Sequence, residues 1–278
     1  MTEEDGVLNP DLVTPARTST DLDPWPVATL GQKLKDYIAR LGTVWIEGEL
    51  SQLSNKGTSF FADIKDLKME ARVSDALPKL LQQGEFGEYG ALATVLDRTP
   101  SSSLIHVANS MAVRYLNFLG RRTQEVCCNR GTSGIDGSSS TAVGAAFVRE
   151  GLVTLITGDM AFFYDRNAFW HNYPLANLRI ILLNNHAGGI FRLIDGPARQ
   201  PELAEFFETK QALTAVHLAA EYGFHYASVT TSEELQSALS EFYEPSLQPK
   251  IIEIESSSCR NAEILKQIKG SISASFVN

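Results

Sequence analysis

The sequence predicts an α/β fold: a doubly wound, mostly parallel six-stranded sheet with helices on both faces, preceded by a small helix-plus-hairpin segment. Three observations predict it. From about residue 100 onward, short apolar runs alternate with helical stretches, the pattern of a parallel sheet built from crossover units. Of 278 residues 44% are apolar, enough for a sizeable core. Charge divides the chain into zones: residues 1–24 hold six acids and one base, residues 25–75 seven of each, and residues 76–278 twenty acids and sixteen bases.

Residues 1–24, with three prolines and no periodicity, read as a disordered acidic tail. In 25–67, Leu34, Tyr37, Ile38 and Leu41 sit at helical spacing in Leu30–Leu41, and Gly42 ends that helix. Val44–Leu50 is a β-rich run, Asn55-Lys56-Gly57 a hairpin turn, and Ser59–Ile64 the returning strand. Residues 68–100 read as a linker or helical connection, and 101–278 as the main domain. Its expected strands are Leu104–Ala108, Glu125–Cys128, Leu152–Thr157, Leu178–Leu183, Tyr226–Val229 and Lys250–Glu255, with helices near 110–120, 140–150, 163–172, 201–208, 213–222 and 232–243.

Composition excludes several classes. A formal charge of -9 repels phosphate backbones at long range. Three cysteines, two of them adjacent (Cys127, Cys128), make no disulfide framework, so a reducing, cytoplasmic compartment is expected. No apolar run approaches the ~20 residues of a membrane span, and the acidic N-terminus is unlike a signal peptide. No Gly-x-Gly-x-x-Gly follows a strand, and neither a P-loop nor a nucleophile-elbow spacing occurs. The five histidines are scattered, with no pair at metal spacing.

In doubly wound sheets ligands bind at the carboxyl ends of the strands. The second strand runs into Asn129–Ser138, where Gly131, Gly134 and Gly137, with Arg130, Ile135, Asp136 and several hydroxyls, make a loop whose N–H groups can face an anion. Arg130 and Arg114 are candidate carboxylate forks. The third strand ends in Gly158-Asp159-Met160, the fourth in Asn184-Asn185-His186-Ala187. Asp159 and Asn185 are one crossover apart, so neighbouring strands can bring both to one rim. A carboxylate and a carboxamide are hard oxygen ligands suited to Mg²⁺ or Ca²⁺. With a backbone carbonyl and a water they leave about two of six positions for a diphosphate, which Gly158 would let approach.

These motifs carry a resemblance. Gly158-Asp159 with Asn184-Asn185 resembles the thiamine diphosphate motif of the decarboxylase and synthase superfamily. Asn109–Arg114, Asn129–Gly137 and Gly158–Asp165 narrow it to the 2-succinyl-5-enolpyruvyl-6-hydroxy-3-cyclohexene-1-carboxylate synthase (MenD) family of menaquinone biosynthesis, over about residues 75–275. The resemblance implies thiamine diphosphate and Mg²⁺ as cofactors. Asp159, Asn185 and the Ala187 carbonyl would hold the metal; Gly158 and Met160 would line the diphosphate, with the Gly134–Asp136 loop beside it. Ile135 would wedge the cofactor into its V shape, and Ile190 and Phe191 would wall the pocket. Ser110, Arg114 and Arg130 would hold the acidic substrates, 2-oxoglutarate and isochorismate. It also implies the carboxyl-terminal domain of a longer chain, without the pyrimidine-binding domain and its glutamate. No glutamate here is nominated for that role; Glu85 and Glu88 fall in the linker-like stretch. The expectation is a domain inactive alone, completed by a homodimer or by a chain supplying the absent domain.

Residues 20–67, through Pro24-Trp25-Pro26-Val27, Val44–Leu50 and Asp63-Ile64-Lys65-Asp66, resemble the start of the exonuclease VII large subunit, where this stretch begins an OB-fold. The alternative functions are therefore a single-stranded DNA-binding module and a fusion without function.

Overall fold

The computed structural model describes residues 49–56, 59–65, 85–120, 122–131 and 133–274, with the single positions Asp36, Leu77 and Leu81. The chain divides into two compact units, Met1–Leu67 and Lys68–Asn278.

In the first unit, β1 (Glu49–Lys56) and β2 (Ser59–Lys65) form an antiparallel pair that closes at Lys56 opposite Ser59. The expected turn at Asn55-Lys56-Gly57 is thus corrected: Asn55 and Lys56 belong to the strand, and a register shift between Leu50 and Gln52 marks an irregularity. The expected tail 1–24 and the run Val44–Gly48 lie outside the described residues, as does the expected helix apart from Asp36, which is helical.

The second unit is the six-stranded sheet. Its strands are β3 (Leu104–Val107), β4 (Val126–Cys128), β5 (Val153–Gly158), β6 (Leu178–Asn184), β7 (His225–Val229) and β8 (Lys250–Glu255), within a few residues of expectation. All pair in parallel, in the order β4-β3-β5-β6-β8-β7. The central strands are mostly apolar because both faces are covered, and β6 is buried along its whole length, Arg179 and Asn184 included. On one face Ile105, Ile156, Ile181 and Ile254 pack with α1 (Glu88–Arg98), α2 (Met111–Phe118), α6 (Ser232–Phe242) and α7 (Ser258–Ala274). On the other, Leu104, Leu155, Ile180 and Ile251 pack with α3 (Ser138–Val148), α4 (Asp159–Tyr164) and α5 (Val216–Tyr222). Residues one apart on a strand thus serve opposite layers.

Three readings need correction. The helix expected near 163–172 is two pieces, α4 and a 3₁₀ turn at Arg166–Phe169. The helix starts earlier because Asp159 follows β5 with no intervening loop. The stretch near 201–208 is a π-helical turn, Leu203–Phe207. The strand expected to end at Cys127 and Cys128 is the edge strand β4, where both cysteines lie half-buried. Two further helices complete one layer: α1, inside the stretch 68–100 read as a linker or helical connection, and α7, which no expectation covered.

The chain order reverses beside β3: β4 lies to one side and β5 to the other. This switch point opens a crevice at the strands' carboxyl ends. Among the described residues, no helix is long and apolar enough to cross a membrane.

Candidate cofactor and metal site

A cavity of about 460 Å³ occupies that crevice. Of the residues nominated from sequence, Ser110, Arg114, Arg130, Ile135, Gly158, Asp159, Met160, Asn185, Ala187, Ile190 and Phe191 line it. Gly134 and Asp136 do not. Gly134 instead turns its carbonyl to Asn109 Nδ2 at 2.8 Å, and Asp136 is exposed.

The buried end is built from the tips of adjacent β5 and β6, where Gly158 lies opposite Leu183. Asp159 and Asn185 meet there: the Ala187 N–H donates to Asn185 Oδ1 at 3.1 Å and also bonds the Asp159 carboxylate. His186 makes this possible by adopting a left-handed backbone (φ 58°) between the two partners. Ser110, Ser133 and Thr209, which also line the cavity, have positive φ as well, so all four such non-glycine residues among those described gather at this site. Asn184, by contrast, faces away as a strut. Its Nδ2 donates to Glu253 Oε1 at 2.7 Å, and its Oδ1 accepts from the His186 N–H and Gln211 Nε2.

Sequence reasoning missed two residues here. Gln211 Nε2 donates to Asp159 Oδ2 at 2.8 Å; nothing in its local sequence signals this. Glu88, at the head of α1, is buried on the cavity wall and accepts from Asn185 Nδ2 at 2.7 Å. The helix was legible, since Tyr89, Leu92, Val95 and Leu96 fall at helical spacing, but its docking beside Asn185 was not.

Two carboxyls thus share a dry end. Burial, with repulsion from Asp159, pushes Glu88 up to about 7 against the hydrogen bonds from Asn185 and Tyr115. Burial pushes Asp159 up to about 6, opposed by Gln211, by the N–H groups of Met160 and Ala187, and by attraction to His186. A divalent cation would reverse this balance. The donor set fits one: an anionic carboxylate, a carboxamide oxygen and the Ala187 carbonyl, all hard oxygens. The fit extends to a neighbouring phosphate, because a Cβ at Gly158 would meet nothing within 4 Å; the space beside it is open.

The outer end is basic. Arg114 Nη1 donates to the Ser110 carbonyl at 2.8 Å, and Arg130 Nη1 reaches Asn109 Oδ1 at 3.5 Å. Among the described residues neither pairs with a carboxylate. Burial and the neighbouring Arg130 lower the Arg114 guanidinium from its usual range, so two like charges converge over the cavity. Ile135 stands 38% exposed between the two ends, an apolar side chain offered to the cavity rather than to the core.

Fold and cavity together define a doubly wound α/β ligand-binding domain with its site at the switch point. The sequence model of the thiamine pyrophosphate enzyme C-terminal TPP-binding domain matches residues 108–254, and the chain belongs to that family. It is 53% identical over 195 residues to the 2-succinyl-5-enolpyruvyl-6-hydroxy-3-cyclohexene-1-carboxylate synthase of Cytophaga hutchinsonii, covering 69% of this chain and 35% of the relative. The synthase of the same name from Christiangramia forsetii is 42% identical over 181 residues, 65% of this chain and 31% of that one. The chain therefore spans about a third of the length of these curated relatives. Among solved structures, benzoylformate decarboxylase from Polynucleobacter necessarius superposes with a TM-score of 0.52 at 17% identity, over 61% of this chain and 33% of that one, a likeness of fold.

Proposed function

We propose that this chain is the cofactor-holding domain of a thiamine diphosphate-dependent synthase that decarboxylates 2-oxoglutarate and joins the product to isochorismate, as in menaquinone biosynthesis. The observation that carries the reading is the meeting of Asp159 and Asn185 at the Ala187 N–H, beside the open space at Gly158. Asp159, Asn185 Oδ1 and the Ala187 carbonyl would hold Mg²⁺. Gly158 and Met160 would line the diphosphate, with the Gly134–Asp136 loop at the margin. Ile135 would support the cofactor's bend, and Ile190 and Phe191 would close the wall. When bound, thiamine diphosphate supplies the electron sink for loss of CO₂.

The protein's own contribution is binding, orientation and charge. Arg114 and Arg130, free of carboxylate partners among the described residues, would take the carboxylates of both substrates in bidentate fashion, with Ser110 adding a hydroxyl. The apolar wall at Ile190 and Phe191 would exclude water from the reacting face. Since this chain spans only about a third of those relatives, a homodimer or a further chain would supply the rest of the active site. Three free thiols, Cys127, Cys128 and Cys259, are consistent with a cytoplasmic setting.

Titration calorimetry of thiamine diphosphate with Mg²⁺ tests the reading. Heat that disappears in Asp159→Ala is expected, and absence of binding by the unsubstituted chain would overturn it. Purified alone, the chain is expected not to consume 2-oxoglutarate. The exonuclease VII-like reading of residues 20–67 rests on sequence alone. A gel shift with single-stranded DNA at low salt is its test, and no shift ends it.

A further inference from the structure

Glu88 has no part in the reading above, yet it is held as firmly as any residue of the site. Its N–H donates to Asn261 Oδ1 on α7 at 3.1 Å. Its carboxyl accepts from Asn185 Nδ2 at 2.7 Å and bonds the Tyr115 hydroxyl on α2. Two helices therefore fix it, on the wall opposite the tip of β5.

The chemistry of a carboxamide explains why this matters. Its oxygen and nitrogen are nearly alike in shape, and a half-turn about the last torsion exchanges them. Only the oxygen can ligate a cation. A carboxyl beside one end of the group accepts a hydrogen bond from nitrogen, so it selects the orientation that turns Oδ1 the other way, toward the Ala187 N–H and Asp159. The reverse orientation would bring Nδ2 against the Ala187 N–H, donor against donor, and leave Nδ2 facing the cation. An acceptor oxygen on Glu88 is sufficient, because a carboxylic acid keeps acceptor capacity whether ionised or not.

We infer that Glu88 is a positioning residue for the metal site: by accepting from Asn185 Nδ2 it presents Asn185 Oδ1 to the divalent cation. The inference rests on the cofactor reading above and assigns a task to a residue outside that ligand set. Such an outer partner typically changes metal affinity about 10–100-fold when removed.

The test is Mn²⁺ binding to the full chain in the presence of thiamine diphosphate, read by electron paramagnetic resonance. Glu88→Leu is expected to weaken Mn²⁺ about tenfold or more, whereas Glu88→Gln, which keeps an acceptor oxygen, stays within about threefold. In an Asn185→Ala background, Glu88→Leu is expected to cause no further loss, as it must if Glu88 acts through Asn185. Unchanged affinity in Glu88→Leu, an equal loss in both backgrounds, or a Glu88→Gln as weak as Glu88→Leu overturns it. Should Glu88→Leu not fold, Glu88→Gln decides: a tenfold loss there overturns the inference, and near-normal binding, with Asn185 Nδ2 protons shifted from their unsubstituted resonance, upholds it. Failure of the unsubstituted chain to bind Mn²⁺ removes the cofactor reading and the inference together. Binding that Asp159→Ala abolishes but Glu88→Leu leaves intact removes the inference alone.

Discussion

The two ends of the cavity are built on opposite plans. At the buried end both candidate ligand side chains already have protein partners: Asp159 with Gln211 and two N–H groups, Asn185 with Glu88 and Ala187. At the outer end Arg114 and Arg130 touch, among the described residues, only neutral oxygens and stand close enough to repel each other. The difference teaches how a domain can hold a permanent cofactor and transient substrates in one crevice. Under the proposed function, a resident cation rewards a pre-built nest, in which burial holds two carboxyls above their ordinary range until positive charge arrives. A passing dicarboxylate is better served by cations left unpaired, since a pre-formed ion pair would have to be broken first.

Breaking the buried end should have the largest effect. Asp159→Ala is expected to weaken the Mg²⁺–diphosphate complex by about 100-fold or more, roughly 2.7 kcal/mol, in calorimetry. The same substitution is expected to leave the ligand-free chain as stable as before or more so, because it relieves the repulsion on Glu88. A parallel loss of stability and binding would mean that Asp159 serves the fold instead.

The pH dependence of the ligand-free chain comes next. The folded-state value of Glu88 is raised from 4.5 to about 7, so the native state binds its proton more tightly than the unfolded state does. Its contribution is fully present below pH 4.5 and is lost as pH rises through about 7, on the order of 3 kcal/mol at ~1.4 kcal/mol per unit. Urea melts at pH 5 and pH 8 without metal should show lower stability at pH 8. Asp159, raised from 3.8 to about 6, loses its contribution over the same window, so Glu88→Gln should reduce the difference without abolishing it, and an unchanged slope in that variant counts against the assignment.

Gly158→Ala sharpens the contrast between fold and ligand. Its backbone (φ −83°, ψ 160°) suits any residue, and the added methyl meets only open space. Unchanged melting with diphosphate binding weakened about tenfold, roughly 1.4 kcal/mol, is expected. Normal binding would place the phosphates elsewhere. The smallest effect belongs to the outer end. Arg130→Ala should leave Mg²⁺–diphosphate affinity within about twofold while weakening 2-oxoglutarate on the cofactor-loaded chain by roughly 1–2 kcal/mol, more at low salt than at high.

Much of the fold was legible. Each strand of the large sheet lies within a few residues of its sequence assignment; the central strands are buried on both faces and so must be short, mostly apolar runs. The helix beginning at Asp159 was mis-set by four residues because no turn residue separates it from β5; the register of that junction is not written in local composition. The sequence places Asp159, Asn185 and Arg130 at strand ends and Arg114 on a helix, and all four line the cavity. Gly134 and Asp136 do not line the cavity: a glycine-rich loop can follow a cavity or skirt it, and Asn109 draws the Gly134 carbonyl to one side.

Glu88 marks the limit. By itself the sequence determined the alternation of strands and helices, the rim on which chemistry would collect, and the residue types able to hold a cation there, since all three follow from local pattern and spacing. Only the tertiary structure decided that a glutamate 97 residues before Asn185 would lie against it, that Gln211 would close on Asp159, and that Asn184 would turn away while its neighbour faced the cavity. Those contacts depend on how segments far apart in the chain pack over the sheet, α1 and α7 for Glu88 and the Gln211 loop for Asp159, and packing is set by the shapes of distant surfaces that no short window of sequence contains.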